Sequence, residues 1–99
     1  MKEITVTELK ALRDKKADLQ LIDVREEHEF DEANINGELI PMGEVMDHLD
    51  KISKDKQVVV HCRSGKRSAT VIQALEAQGY TNLYNLKGGI LAYIEEIGF

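Results

Sequence analysis

The stretch Gln57-Val58-Val59-Val60-His61-Cys62-Arg63-Ser64-Gly65-Lys66-Arg67-Ser68-Ala69-Thr70-Val71-Ile72 decides how this chain reads. Its β-branched run predicts a buried strand, the small residues a turn, and the apolar period beyond them a helix. Cys62, the only cysteine of the chain, stands at the join. A thiol placed there faces a helix N-terminus, where unpaired backbone amides and the helix dipole favour negative charge. Such surroundings lower a cysteine pKa from about 8.5 into the range of roughly 3.5 to 7.5. The segment reads as a reactive thiolate in an anion-binding cradle.

Outward from this segment, strands alternate with helices. Ile4-Thr5-Val6 predicts a first strand, and Thr7 an N-cap for a helix reaching about Lys15, with Leu9 and Leu12 on one face. Leu19 to Val24 reads as a buried strand, Glu26 to Glu32 as a short acidic helix, and Leu39-Ile40 as a brief strand. Pro41 opens a stretch expected to be helical, carrying Val45, Met46, Leu49 and Ile52. After the central strand, Lys66 to Gln78 predicts a helix closed by Gly79. Leu83 to Leu86 is a further strand, and Lys87-Gly88-Gly89 turns into a last helix bearing Ile90, Leu91, Ile94 and Ile97. This order implies an α/β sandwich: a mostly parallel sheet of about five strands with helices on both faces. Ligands of such folds bind at the carboxyl ends of the strands, where Cys62 lies.

Bulk properties narrow the class. The 99 residues suit one domain spanning 1–99, and 42% hydrophobic with 31% charged residues is the composition of a folded, soluble chain. No apolar run approaches the roughly 20 residues that span a bilayer, and Met1-Lys2-Glu3-Ile4 lacks a signal-peptide core. The expectation is a cytoplasmic protein without a membrane partner. A lone cysteine excludes an internal disulfide and fits a reducing compartment. One cysteine with three dispersed histidines makes no zinc signature, and no cofactor is expected. A net charge of −5 argues against nucleic acid, and a small acidic domain is expected to be a monomer. Arg63, Lys66 and Arg67 still cluster beside the thiol. Screening over about 8 Å lets that local patch capture a small anion.

Three chemistries use loops of this kind. A nucleotide-binding P-loop needs G-x-x-x-x-G-K-[ST], and Gly65-Lys66 invites the comparison. Val60 replaces the first glycine and Arg67 the magnesium-binding hydroxyl, so that reading fails. Cysteine phosphatases use C-x5-R, but here that spacing lands on Ser68 and the arginine arrives one residue early, at Arg67. A tighter loop makes a smaller ring of amides, better sized for one sulfur atom than for a tetrahedral phosphate.

Val58 to Ser68 closely resembles the V-V-x-C-R-S-G-x-R-S loop of the single-domain rhodaneses, which are sulfurtransferases. Leu21-Ile22-Asp23-Val24-Arg25-Glu26 with Glu29-Phe30 resembles that family's upstream signature, and Ile35-Asn36-Gly37 with Ile40-Pro41 its I-P-G stretch. Asn82 to Ile90 resembles the segment ending in L-x-G-G. The motifs stand in family order over essentially the whole chain. Departures lie away from the thiol: Asn34 and Asn36 replace a histidine and a proline, Glu38 an alanine, and Tyr93 a tryptophan.

The resemblance implies the rhodanese-like three-layer fold and covalent catalysis at Cys62. The thiolate takes the outer sulfur of thiosulfate or a persulfide donor and passes it to cyanide or a thiol. The amides of residues Arg63, Ser64, Gly65, Lys66, Arg67 and Ser68 would hold the charged sulfur, and Lys66 and Arg67 would attract the anionic donor. Asp23 and Arg25 would brace the loop. Protein partners could include a desulfurase or a thioredoxin-like acceptor. The alternative function is a sulfur-carrier or redox-sensing module with little turnover of its own.

Plainer readings stand beside these. Cys62 could be a small buried hydrophobe. Arg63 and Lys66 could be solvated surface cations, and Asp23–Arg25 an ordinary strand-end ion pair. Gly65 is expected to supply a positive φ, and Ser68 to cap the helix. His61 neighbours the thiol, but strand alternation turns it to the opposite face, into a packing role. His28 and His48 read as surface residues.

Overall fold

The computed structural model describes residues 1–99 and contains five strands and four α-helices. The strands are β1 (Glu3–Ile4), β2 (Leu19–Asp23), β3 (Glu38–Leu39), β4 (Gln57–His61) and β5 (Leu83–Leu86). The helices are α1 (Val6–Asp14), α2 (Glu27–Glu32), α3 (Lys66–Ala77) and α4 (Gly89–Glu96). The sheet order is β1-β5-β4-β2-β3, and every pairing is parallel. This is the α/β sandwich that the alternation of elements implies.

The valine run explains why β4 is central. Val58, Val59 and Val60 are all fully buried, as a strand covered on both faces requires. Alternation sends Val58 and Val60 into one core with Ile72 and Leu75 of α3, and Val59 into the other with Leu9 of α1 and Ile90 of α4. Fully burying each such side chain is worth roughly 1.5 to 3 kcal/mol. Register then places Asp23 of β2 beside His61, and Asn85 of β5 beside Val60. All these residues lie near the carboxyl ends of the strands. No helix is long and apolar enough to cross a membrane.

Two local expectations are corrected. The N-cap of α1 is Thr5, not Thr7: the Glu8 amide donates to Thr5 Oγ1 at 3.1 Å, and the Thr5 amide to Glu8 Oε1 at 2.9 Å. Thr5-x-x-Glu8 forms a reciprocal capping box, and so the chain leaves β1 early. The stretch after Pro41 is not an α-helix but two 3₁₀ segments, Met42–Asp47 and Leu49–Lys51. Gly43 and Asp47 are weak helix formers, and short 3₁₀ turns still lay Val45, Leu49 and Ile52 on the α3 side of the sheet.

Candidate active site

Cys62 follows β4 directly, and only 1% of its surface is exposed. The turn beyond it depends on Gly65, which caps α3 at φ +104° in the left-handed region. That turn aims two amides at the sulfur: Gly65 N–H at 3.1 Å and Ser68 N–H at 3.4 Å. Two carbonyls at the start of the loop face elsewhere. Cys62 O accepts from the Ile90 amide at 3.0 Å and Arg63 O from the Leu91 amide at 3.1 Å, both on the first turn of α4. Gly89 makes this contact possible, since a Cβ there would lie 2.7 Å from the Cys62 carbonyl oxygen.

Burial pushes the Cys62 thiol up, yet its pKa lies below the ordinary value. The Ser68 hydroxyl and amide, with the amides of Gly65 and Ser64, outweigh the burial. The arrangement can hold a negative sulfur without any neighbouring base.

Ser68 is not a capping side chain, contrary to the sequence expectation. With Gly65 as N-cap, Ser68 falls three residues inside the helix, fully buried, its Oγ 3.4 Å from the sulfur. The same Oγ donates to Asn85 Oδ1 at 2.6 Å, and Asn85 Nδ2 donates to Gly65 O at 3.0 Å. Asn85 thus closes a ring of contacts from sulfur to Ser68, to β5, and back to the Gly65 peptide. Sequence reasoning passed over Asn85. The available signal was one amide side chain inside an apolar strand, Leu83-Tyr84-Asn85-Leu86.

The cations divide. Arg63 and Lys66 are exposed and form no ion pair, whereas Arg67 is half-buried and bound to Glu29 of α2 at 2.8 and 2.9 Å. Hydrogen bonding to Arg67, set against partial burial, takes the Glu29 carboxyl down to about 2, with help from the Glu26 amide and the charge of Arg25. Glu29 entered the sequence analysis only as part of a signature. Its partner lies 38 residues away, and no local pattern announces it.

Asp23 and Arg25 pair with each other rather than with the loop cations. Arg25 Nη2 lies 2.7 Å from Asp23 Oδ2, both side chains are buried, and Arg25 donates to the carbonyls of Glu29 and Ala33. The pair therefore fastens α2, the helix that carries Glu29. His61 is fully buried, its Nδ1 3.2 Å from the Cys62 carbonyl and its Nε2 3.6 Å from Asp23 Oδ2. Desolvation lowers its pKa against the pull of Asp23. His28 is exposed and His48 half-buried.

The family model described as a rhodanese-like domain matches residues 5–96. A putative sulfurtransferase of Bacillus subtilis, YtwF, is 38% identical over 94 residues, covering 94% of this chain and 90% of that protein. The thiosulfate sulfurtransferase GlpE of Coxiella burnetii is 36% identical over 76 residues, covering 76% of this chain and 71% of the relative. Among solved structures, a rhodanese-like domain protein of Staphylococcus aureus superposes with a TM-score of 0.87 at 37% identity, covering 94% of this chain and 91% of that one. The chain belongs to the rhodanese-like domain family, whose members similar to it include proteins named sulfurtransferases.

Proposed function

We propose that this protein transfers sulfane sulfur through a persulfide on Cys62, with thiosulfate or a thiol persulfide as donor and cyanide or a thiol as acceptor. The Cys62 thiolate attacks the donor's outer sulfur, and the bond from that sulfur to the leaving group breaks. With thiosulfate the electron pair departs on sulfite. The acceptor then attacks the outer sulfur of the persulfide, and the electron pair of the S–S bond returns to Cys62. Amides of residues 63 to 68 hold the charge first on the thiolate and then on the terminal sulfur. Arg63 and Lys66 attract the anionic donor. Asp23 and Arg25 act at one remove, by fixing α2 against the loop.

The observation that carries this reading is the pair of amides at 3.1 and 3.4 Å from a sulfur whose pKa lies below its ordinary value. A reducing cytoplasm suits its single free thiol. A desulfurase or a thioredoxin-like protein would serve as physiological donor or acceptor.

Incubation with thiosulfate should add one sulfur atom per chain, seen by intact mass, and cyanide should remove it as thiocyanate. Cys62→Ser should do neither. A mass that never changes with thiosulfate or with cysteine persulfide defeats the proposal. Turnover of an aryl phosphate without thiocyanate would point to phosphatase chemistry instead.

A further inference from the structure

Arg67 lies close enough to Cys62 to feel the charge of its sulfur, yet its own charge is already spoken for. Both terminal nitrogens meet the Glu29 carboxylate, which also accepts from the Glu26 amide at 3.0 Å. A bidentate guanidinium–carboxylate pair is a directional and strong form of ion pair. The Arg25 guanidinium donates to the Glu29 carbonyl and is itself locked to Asp23, so the helix carrying Glu29 is held in place. With its carboxyl at about 2, Glu29 stays ionised across the whole working pH range. Of the loop's own cations, only Arg63 and Lys66 remain free of an ion pair to meet an incoming anion.

Donor chemistry makes that arrangement consequential. Attack on thiosulfate expels sulfite, which leaves with two negative charges. Attack on a protonated thiol persulfide expels a thiolate, which leaves with one. A guanidinium neutralised by a carboxylate gives little to the first leaving group, and the second needs it less. We infer that Glu29 is a specificity-determining residue: by occupying Arg67 it disfavours dianionic thiosulfate and tilts the site towards persulfides of thiols. The inference rests on the sulfur-transfer reading above.

The test measures single-turnover sulfur loading of the full chain by mass, with thiosulfate and with cysteine persulfide in parallel. Glu29→Gln removes the charge but keeps an amide oxygen for the capping box of α2. It should speed loading from thiosulfate roughly five- to tenfold, as an uncovered charge near a surface allows, and leave loading from the persulfide within about twofold. Adding Arg67→Met to that variant should return thiosulfate loading to within about threefold of the parent, because an absent pair and a neutral pair offer the donor the same charge. Three outcomes overturn the inference alone: an unchanged donor ratio, a gain that survives in the double variant, or slowing with both donors. If the parent protein loads from neither donor, the sulfur-transfer reading falls, and this inference falls with it.

Discussion

The Ser68 hydroxyl lies 2.6 Å from Asn85 Oδ1 and 3.4 Å from the Cys62 sulfur, so one proton faces two acceptors. While Cys62 is a thiol, its S–H can donate to Ser68 Oγ as Ser68 donates to Asn85. Once the sulfur is charged, the hydroxyl proton can turn to it. Asn85 reaches the same site a second way, by holding the Gly65 carbonyl at 3.0 Å and with it the peptide whose neighbouring amide faces the sulfur.

Ser68→Ala should therefore raise the Cys62 pKa, because the charged sulfur loses one of its hydrogen bonds. The pH dependence of iodoacetamide alkylation reads this directly. An unmoved midpoint would mean that backbone amides alone set the thiol's acidity. Asn85→Asp should shift the midpoint the same way, since a carboxylate there repels both the thiolate and the Gly65 carbonyl.

Gly89 and Gly79 are both left-handed, at φ +60° and +98°, but only one is crowded. A Cβ at Gly79 meets open space, and Gly79→Ala should cost about 1 to 2 kcal/mol with normal sulfur loading. At Gly89 it would press on the Cys62 carbonyl, 2.7 Å away. Gly89→Ala should cost about 3 kcal/mol or more and slow loading, because relief comes only by moving the loop. Urea unfolding beside mass-detected loading separates the two; equal effects would show that the α4 contact does not shape the cradle.

Arg25→Met should destabilise the fold by about 3 to 5 kcal/mol, since it strands a buried Asp23 carboxylate and removes the donor to the Ala33 carbonyl. Chemical denaturation measures this. A loss below about 1 kcal/mol would mean that water reaches Asp23 and replaces the guanidinium.

Stability should fall in two steps as pH drops. His61 has a folded pKa below its unfolded value near 6.5, so the unfolded chain binds more protons; the fold has its full advantage above about 6.5 and loses it as pH falls towards the folded pKa. Glu29 follows the same sign lower down, its contribution present above about 4.5 and lost as pH falls towards 2. His61→Gln should flatten the stability–pH curve just below about 6.5, and Glu29→Gln should flatten it only below about 4.5. Urea midpoints across that range check both. A slope just below about pH 6.5 that persists without His61 would assign it to another group.

The sequence by itself determined the alternation of elements, the central β-branched strand, and the placing of Cys62 between strand and helix. These follow from local rules: branched side chains suit a strand covered on both faces, and a glycine suits the left-handed step at Gly65. The tertiary structure decided what stands around the sulfur. Ser68 turned inward instead of capping, Asn85 arrived from β5, and Glu29 crossed from α2 to take Arg67. Each of those contacts joins residues far apart along the chain, and a period or a spacing reports only on neighbours. Parallel register and helix packing bring such residues together, and both are properties of the assembled sheet.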